Sequence, residues 1–594
     1  MFMSDNNSGV IKYTPPQPRD EVITQATKEI LANYPEHTCN TELLTTIKQV
    51  VLDTANHKIE MINCVLDKKL QYKSIDQLTS NQSAMILSHV FPVCLIPFAG
   101  EDEDEDKDLL AIYDSNSTYA GIYRTSEVVF NKLIRALNKE RNEIYKKEVL
   151  SALRDIAPRK IKNADKDLIA VNNGIFNYAE QRLQPFSPNF VFTSKAKVNY
   201  VPNAVRPMLT HPDDGTSWDV EDWMADLHDD PELTDLTWQI LGAIIRPNVR
   251  WNKVALFFSE VGNNGKGTIA EIARNLCGNG THTSISISDF AKDFALEPLL
   301  HASAIIVDEN EVGVYLDKAA NFKSCITGDV VQINRKFKPA IPYKYSGFQI
   351  QCLNGFPKTK DKSAALQRRL LFVPFPKSFT GREKIHIKQE FLRRSDVLEY
   401  ILWRVLSGMP AYYSLSNPAA CQKVLDEFNG SNDPVLRFWC EFSTQFTWDL
   451  LPFTFLYELF KAWSKVNNPS GSVPGNQSVN KDLLQIITGS TEWYCDDKDK
   501  QVRSAGRMLK AEPLIAEYDL LKWYASNYRG VEPYQHCHPQ LAVNYRGIQR
   551  YTNTQAPAAS AQPYSNNVVS MPTCPPFDPS LPPEHPDDDN GYGA

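Results

Sequence analysis

The segment from Val254 to Ala273 places the strongest constraint on the fold. An apolar, strand-like run, Val254–Phe258, leads into a loop with three glycines and one lysine, and a helix-like run begins at Ile269. This order suits a phosphate-binding loop, because glycines let backbone N–H groups surround a phosphate and the helix N-terminus adds a positive dipole. The sequence therefore predicts a nucleotide site in which Lys266 reaches the terminal phosphates.

This loop departs from the usual GxxxxGK[ST] pattern at two positions. Glu260 occupies the place of the first glycine, and Gly267 occupies the place of the hydroxyl residue that binds Mg²⁺, which moves the hydroxyl to Thr268. Taken alone, the segment is also compatible with an ordinary Gly/Asn turn. The residues predicted to bind the nucleotide are Gly262, Asn263, Asn264, Gly265, Lys266, Gly267 and Thr268.

Acidic residues follow a second strand-like run, at 303–307. Asp308 and Glu309 come directly after it, 42 positions beyond Lys266 in the case of Asp308. A carboxylate at the end of a strand beside a phosphate loop can hold Mg²⁺, and a second one can polarise the attacking water. We therefore expect Asp308, with Thr268, to bind Mg²⁺ and Glu309 to act on water.

Two further strand-like runs carry polar side chains at their ends. Asn354 follows the run 347–353, where its amide can contact the γ-phosphate or the attacking water. Arg368 and Arg369 directly precede the run 370–375, and an arginine there can stabilise a phosphoryl group bound by a neighbouring subunit. Four polar features in this order indicate an NTPase.

A basic hairpin is predicted between the second and third of these strands. The β-branched residues at 330–333 favour a strand, and three cations surround one aromatic residue directly after it. Such a tip suits single-stranded DNA, whose phosphates contact the cations while a base lies against the ring. The predicted DNA-binding residues are Arg335, Lys336, Phe337 and Lys338.

The uneven charge distribution is compatible with binding to nucleic acid, although the chain as a whole is acidic. The net charge is −8, but the run 101–108 carries −6 and residues 553–594 carry −5, so the remainder carries +3. With 42% apolar and 23% charged residues the composition is that of a globular protein. No run is long enough to cross a bilayer and the start lacks a signal-peptide pattern. We expect a cytoplasmic protein of a bacterial or virus-infected cell, with no membrane partner.

These features together resemble the superfamily III DNA helicases of the phage, plasmid and poxvirus primase-helicase type, over residues 105–550. The motifs that carry the resemblance in the ATPase part are Asn264-Gly265-Lys266, Glu309-Asn310-Glu311 with Gly313, Thr327-Gly328-Asp329, Asn354 with Pro357, and Arg368-Arg369-Leu370 leading to Pro374-Phe375. Those outside it are Asn173-Gly174-Ile175, Ser187-Pro188, Thr193, and Tyr528-Arg529-Gly530-Val531 or Tyr545-Arg546-Gly547-Ile548.

The resemblance implies an α/β fold with a P-loop ATPase core of the AAA+ type, a mainly helical N-terminal region and a C-terminal winged-helix-like domain. It also implies a homo-hexameric ring that encircles one DNA strand and binds ATP and Mg²⁺ between subunits. Lys266, Thr268, Asp308, Glu309 and Asn354 would then lie on one side of each site. The next subunit would supply Arg369 or Arg368, which the sequence does not separate, and Lys336 or Lys338 would move the DNA.

The domain organisation follows the same reasoning. The predicted units are a helical N-terminal region at 1–100, an acidic loop at 101–108, a helicase-associated module at 109–215, the ATPase core at 216–395, a C-terminal helical and winged-helix domain at 396–550 and a disordered, Pro-rich tail at 551–594.

The leading hypothesis is a replicative DNA helicase of a phage or other mobile element, acting on single-stranded or forked DNA. Its further partners would be a replication initiator, a primase or a single-strand-binding protein. Two alternatives stay open: an ATP-regulated initiator that binds the origin through residues 430–550, and an NTPase that remodels protein or packages DNA without unwinding. The basic hairpin favours movement on DNA over remodelling.

Overall fold

The computed structural model describes residues 17–98, 108–139, 142–278, 280–316, 320–359, 361, 363–467, 473–488 and 490–551. Most of the predicted acidic loop, residues 101–107, and the predicted tail from residue 552 onward lie outside these ranges. None of the helices within them combines the length and the apolar character that a bilayer-spanning segment needs.

The N-terminal part is built from helices around a small antiparallel sheet. Its elements are α1 Arg19–Leu31, α2 Thr41–Asn63, α3 Ser80–Val90, β1 Val93–Ile96, β2 Leu109–Asp114, β3 Ile122–Arg124, α4 Glu127–Leu137 and α5 Glu143–Ile156. Side-chain caps at Asn40 and Thr79 begin α2 and α3. The sequence analysis predicted helix throughout residues 1–100, but residues 93–96 form strand β1. Pro92 ends α3 there, and the short apolar run that follows it favours extended backbone.

One hydrophobic cluster joins α1–α3 to β1–β3, α4 and α5 without a break at the acidic run. Strand β1 pairs with β2 across that run, with Val93 opposite Ile112. The predicted domain boundaries stay a prediction.

Asp108 corrects the expectation that the whole run 101–108 is a solvated acidic loop. Its side chain is 1% exposed, and the Arg159 guanidinium donates to both of its carboxylate oxygens, at 2.7 and 3.3 Å. Arg154 donates to its backbone oxygen at 2.9 Å. A two-pronged guanidinium contact of this kind compensates a buried carboxylate.

The central part contains a five-stranded parallel sheet with helices packed on it. Its first elements are β4 Leu168–Val171, β5 Gly174–Asn177, β6 Arg182–Gln184, β7 Leu209–Thr210, β8 Ser217–Trp218, α6 Val220–His228 and α7 Pro231–Ile244. They are followed by β9 Val254–Phe258, α8 Lys266–Cys277, β10 His282–Thr283, β11 Ala304–Val307, α9 Ala320–Thr327, β12 Val330–Arg335, β13 Lys338–Lys344, β14 Phe348–Leu353, α10 Ala364–Gln367, β15 Leu370–Pro374, α11 Ile385–Gln389 and α12 Ser395–Leu406. Short 3₁₀ helices occupy Ile287–Ala291, Glu297–Leu300 and Phe391–Arg393.

The order of strands in this sheet is β10-β11-β14-β9-β15, and all neighbours run parallel. Every residue of β9, β11 and β14 is buried, as expected for a parallel sheet that is covered on both faces. Because the strands are parallel, the ends of β9, β11 and β14 meet at one edge, which we call the carboxyl edge. The starts of β9 and β15 meet at the opposite, amino edge.

Between α9 and β14 the chain forms a separate two-stranded antiparallel hairpin, β12-β13.

The C-terminal part has its own hydrophobic cluster, from Val435 to Ile548. Its elements, with the helix leading into it, are α13 Ala419–Asn432, α14 Pro434–Phe442, β16 Leu450–Pro452, α15 Phe453–Asn467, α16 Asn476–Ile486, β17 Trp493–Tyr494, β18 Val502–Arg503, α17 Leu514–Glu517, a 3₁₀ helix Leu521–Trp523, α18 Pro533–His536, β19 Asn544–Tyr545 and β20 Gly547–Arg550.

Candidate functional site

The glycine-rich loop connects the end of β9 to the start of α8 at the carboxyl edge, as expected. Gly265 is the last residue before α8 and has a φ of +91°, a conformation that residues with a Cβ rarely adopt. A Cβ there would also lie 2.7 Å from Leu227 Cδ2 on α6. Glycine at this position therefore lets α6 pack directly against the loop.

Lys266 is the first residue of α8, and its side chain is buried beneath the loop. Its ammonium group donates to the backbone oxygens of Ser259 and Leu353 at 3.0 and 2.8 Å, and to Asn354 Oδ1 at 2.7 Å. Burial lowers the pKa of Lys266 below the ordinary lysine value, and the negative charge of Glu309 acts in the opposite direction. The structure thus brings together the lysine and the amide that the sequence placed at two strand ends.

The two asparagines of the loop have different surroundings. Asn264 is buried; its amide donates to the Val261 backbone oxygen, and its Oδ1 accepts from the Lys266 backbone N–H at 3.3 Å. Asn263 is exposed with a φ of +52°, and its amide donates to Glu383 Oε1 at 2.9 Å. One asparagine therefore shapes the loop, and the other joins it to the chain beyond β15.

Asp308 lies at the end of β11 and faces one side of α8. Its Oδ1 is 2.6 Å from the guanidinium of Arg274, which also contacts Glu271 at 3.1 Å. Thr268, Glu271 and Arg274 are spaced three residues apart and so share a face of α8. This face carries the hydroxyl that the sequence predicted as a Mg²⁺ ligand, while Glu309 is exposed at the same edge.

The donor chemistry of this edge fits a Mg²⁺ ion that arrives with a nucleotide. Thr268 and Asp308 offer a hydroxyl and a carboxylate, which are oxygen ligands of the kind Mg²⁺ prefers. Among the described residues, no three His, Cys, Asp or Glu side chains converge in a way that would hold a metal. Mg²⁺ commonly takes one or two protein ligands and completes its shell with phosphate oxygens and water.

A buried amide pair holds the turn after β11 against β14. Asn310 donates to Gln351 Oε1 and to the Cys352 backbone oxygen, both at 3.1 Å, and accepts from the Ile287 backbone N–H at 2.9 Å. These bonds fix the residue that directly follows Asp308 and Glu309. The two acids are thereby held at the carboxyl edge beside Asn354.

Arg368 and Arg369 lie at the amino edge, away from the loop. Leu370 pairs with Val254, and the Arg369 backbone oxygen accepts from the Val254 N–H at 2.9 Å. The phosphate loop begins at the other end of this five-residue strand, which is about 17 Å long at 3.3 Å per residue. Both arginines therefore lie at the edge of the sheet opposite Lys266.

The predicted basic residues occupy the tip of the β12-β13 hairpin. Phe337 is 96% exposed and lies in the turn with a φ of +59°. Lys336 Nζ is 5.5 Å from the centre of its ring, Arg335 Nε donates to the Pro339 backbone oxygen at 3.0 Å, and Lys338 Nζ is 3.7 Å from Glu127. The hairpin thus presents a solvent-exposed aromatic ring with Lys336 beside it, while the Arg335 guanidinium lies over the ring of Phe98, 5.8 Å from its centre, and Lys338 faces Glu127.

Two residues beside the loop were missed by sequence reasoning. Phe379 follows β15, and its backbone N–H donates to the Asn263 oxygen at 2.8 Å. Lys388 lies on α11, and its Nζ is 3.7 Å from the position of a Cβ on Gly267. Within the described ranges this ammonium group makes no hydrogen bond or ion pair. The one sequence signal for Lys388 is that it follows β15, the strand that begins directly after the two arginines. No motif fixes the distance between such a strand and a lysine, so the sequence could not single out Lys388.

Three segments of the chain match protein-family models. Residues 115–239 match a model described as D5 N terminal like, and residues 430–508 match one described as Poxvirus D5 protein-like. Residues 257–369, which include the loop and the parallel strands, match a family of unknown function, DUF5906. The chain therefore carries D5-like segments on both sides of the candidate site. No curated protein sequence matches it.

Solved structures of the NrS-1 C-terminal region are among those similar to this fold. The A form of the apo region is 13% identical, with a TM-score of 0.39, covering 67% of this chain and 83% of that chain. An A-form apo structure of residues 305–718 of NrS-1 is 14% identical, with a TM-score of 0.40, covering 69% and 86%. Another apo structure is 13% identical, with a TM-score of 0.40, covering 67% and 87%.

Proposed function

We propose that this chain is a D5-like replication protein of a phage or other mobile element, and that it acts as an ATP-dependent DNA helicase. The observation that carries the proposal is the meeting of Lys266, Asn354, Asp308 and Glu309 at one edge of a parallel sheet, beside a glycine-rich loop. This arrangement suits phosphoryl transfer, in which positioning and electrostatic stabilisation supply most of the catalysis.

Each group at the edge has a distinct role in this proposal. Loop N–H groups and the ammonium of Lys266 hold the phosphates, Asn354 orients the γ-phosphate or the attacking water, and Glu309 accepts a proton from that water. Thr268 and Asp308 would hold Mg²⁺, which supplies charge neutralisation at the phosphates. Lys388, whose Nζ is 3.7 Å from the position of a Cβ on Gly267, adds a second cation beside the loop.

The position of the arginines supports a hexameric ring with ATP between subunits. Arg368 and Arg369 lie at the edge opposite Lys266, so they can complete a site only on another copy of the chain. An arginine supplied in trans is a known device for stabilising the transition-state charge. If the carboxyl edge of one chain binds the amino edge of the next, the copies associate head to tail. Such a contact forms a closed ring when the rotation between subunits allows it.

The hairpin supports movement along a single DNA strand. An exposed aromatic ring can contact a base while neighbouring cations contact phosphates, and this mode tolerates any sequence. The D5-like segments at 115–239 and 430–508 also favour a replication role. We therefore propose single-stranded or forked DNA as the partner, with the protein in the cytoplasm of a bacterial or virus-infected cell.

Strand displacement on a forked DNA tests the proposal directly. The native chain, Lys266→Ala and a matched control, Lys68→Ala, would be compared for assembly, ATP hydrolysis and unwinding; Lys68 is an exposed lysine of the N-terminal part. We expect Lys266→Ala to assemble but to lose both activities, while Lys68→Ala keeps them.

Three results would contradict the helicase function. ATP hydrolysis without unwinding would favour a remodelling or packaging motor. Sequence-specific protection of an origin by residues 430–550, without unwinding, would favour an initiator. If the native chain hydrolysed no ATP, the proposal that the glycine-rich loop forms a catalytic nucleotide site would be wrong.

A further inference from the structure

The C-terminal part of the chain carries a groove of about 490 Å³ that is separate from the candidate nucleotide site. Helix α15, the 3₁₀ helix after α17 and strand β19 contribute to its walls. Four aromatic side chains and a proline line it, namely Tyr457, Trp523, Tyr524, Tyr545 and Pro539. Aromatic rings along an open groove form the kind of surface on which proline-rich chains dock.

Contacts behind the groove hold these rings in place. Trp523 is 8% exposed, and its ring centre lies 5.4 Å from that of Phe455 and 5.8 Å from that of Tyr545. Tyr524 stacks on His536, with 4.5 Å between the ring centres. The groove is thus formed before anything binds, which reduces the entropy that a bound chain must offset.

The groove also offers a hydrogen-bond donor to a chain that has few donors of its own. Among the described residues, none accepts a hydrogen bond from the Trp523 indole N–H. Proline has no backbone N–H, so a proline-rich chain presents mainly carbonyl oxygens. An indole N–H at the groove suits that excess of acceptors.

One edge of the groove carries a net positive charge. Lys522 and Lys461 share a single carboxylate, Glu458, at 3.0 and 3.2 Å. The Lys522 side chain lines the groove and is 73% exposed. Two ammonium groups on one carboxylate leave one positive charge unmatched, so this edge favours a chain that carries acidic residues.

The tail beyond residue 551 has the sequence that such a groove requires. Between positions 572 and 586, prolines occur three residues apart four times, at 572 and 575, 576 and 579, 579 and 582, and 583 and 586. A polyproline II helix has three residues per turn, so prolines with this spacing can all face one groove. Asp578 and Glu584 lie within the same run and supply the opposite charge.

The tail is also long enough to reach the groove of its own chain. It follows Tyr551, whose ring stacks on Tyr494 in the C-terminal part. From position 551 to position 572 the chain advances 21 residues, which span about 70 Å when extended. A domain of about 120 residues has a radius of gyration of only about 14 Å. The run at 572–586 can therefore reach any point on the C-terminal part.

We propose that this groove binds the proline-rich run at 572–586 of the same chain. The prolines lie against the rings of Trp523, Tyr524 and Tyr545, and an acidic residue of the run lies beside Lys522. The chain thereby covers its own aromatic groove. This inference does not depend on the nucleotide site or on helicase activity.

A labelled peptide of residues 569–588 tests the proposal, with fluorescence anisotropy measuring its binding to the full chain. A tail variant combines four substitutions that remove every three-residue proline spacing of the run: Pro575→Ala, Pro579→Ala, Pro582→Ala and Pro586→Ala. These positions lie outside the described residues and so leave the C-terminal cluster untouched. A peptide with the same four substitutions is the control ligand.

The groove itself is tested in the tail variant by adding Lys522→Glu or Tyr524→Ala. Lys522→Glu changes an exposed side chain and so leaves folding intact. Lys68→Glu is its matched control, an exposed lysine of the N-terminal part. Tyr534→Ala is the control for Tyr524→Ala, because it removes an aromatic ring that is 61% exposed on α18 and does not line the groove.

We expect the peptide to bind the tail variant at least about tenfold more tightly than the native chain. A tethered segment has an effective concentration of about 1 mM, so the native tail competes strongly with added peptide. Lys522→Glu and Tyr524→Ala should each weaken peptide binding to the tail variant several-fold. The two control substitutions should not change it, and the control peptide should not bind.

Three results would overturn the proposal. Failure of the peptide to bind the tail variant, or binding that ignores both groove substitutions, would show that the groove is not a site for the run. Equal binding to the native chain and the tail variant would show that the native tail does not occupy the groove. Competition that disappears on dilution of the native chain would assign the bound tail to a second copy.

Discussion

The Lys266 ammonium donates a hydrogen bond of 2.7 Å to Asn354 Oδ1, joining the first residue of α8 to the residue after β14. Its other two partners are backbone oxygens of the same edge. A triphosphate in the loop would compete with these oxygens for the ammonium group. Phosphate binding and the position of Asn354 are therefore coupled through one side chain.

The buried position of Lys266 predicts a pH dependence of nucleotide binding. Burial lowers the pKa of Lys266, so in the free protein its ammonium group loses its proton at a pH below the ordinary lysine value. A triphosphate requires the charged form, so ATP affinity should fall as the pH rises through that lowered pKa. Calorimetry across the alkaline range should show this fall together with proton uptake.

A Lys266→Arg variant provides the control for the pH effect, because a guanidinium group stays charged at every accessible pH. If its ATP affinity fell with pH as steeply as that of the native chain, Lys266 would not be the titrating group.

A mixing experiment tests the arginines of the amino edge. Arg369→Ala should keep nucleotide binding but lose at least about a thousandfold in hydrolysis, the scale on which an arginine in trans acts. A mixture of Arg369→Ala and Lys266→Ala chains should regain part of the activity, because one interface then combines an intact lysine with an intact arginine. The parallel series with Arg368→Ala identifies which arginine acts. Failure of both mixtures to regain activity would contradict sites shared between subunits.

The hairpin tip should be needed for DNA but not for nucleotide. Phe337→Ala is expected to weaken single-stranded DNA binding about tenfold through loss of one stacked base, and to leave ATP hydrolysis without DNA unchanged. Lys336→Ala should lower the slope of log affinity against log salt by about 0.7, the value for one phosphate contact on a single strand. Fluorescence anisotropy over a salt series measures both effects, with Lys68→Ala as the control. If both hairpin variants bound DNA with the affinity of the native chain, the hairpin tip would not be a DNA-binding site.

The pair of Asp108 and Arg159 should be important for stability. Arg159→Ala leaves a carboxylate that is 1% exposed without its guanidinium, so it should lower the free energy of unfolding by about 3 kcal/mol. The matched control is Arg182→Ala, whose ion pair with Glu180 is exposed on both sides and should contribute less than about 1 kcal/mol. Urea denaturation compares the two. Equal effects would show that the buried pair contributes no more than a surface pair.

The carboxyl edge was predictable because its residues follow strands. A glycine-rich loop, Asp308 and Asn354 each come directly after an apolar run, and parallel pairing is enough to bring such positions together. The same reasoning placed Arg368 and Arg369 before a strand, and the register of β15 with β9 then puts them at the amino edge. The chemical roles of these residues stay predictions.

The contacts that depend on tertiary packing could not be predicted. Lys388 and Phe379 reach the loop because the chain after β15 folds back over it, and no periodic pattern marks that segment. The ion pair between Arg274 and Asp308 joins a helix to a strand end across 34 positions. Asp108 has the sequence context of a solvated acid, and its burial depends on an arginine 51 positions away.

The opposite positions of Lys266 and Arg369 on one sheet have a consequence for how such a protein is switched on. In the proposed ring each chain carries two different halves of a site. A lone chain would then have no complete catalytic centre, and hydrolysis per chain should rise with protein concentration until rings are complete. Dilution would then stop ATP hydrolysis without any inhibitor. Newly synthesised chains would hydrolyse no ATP until their concentration was high enough for assembly.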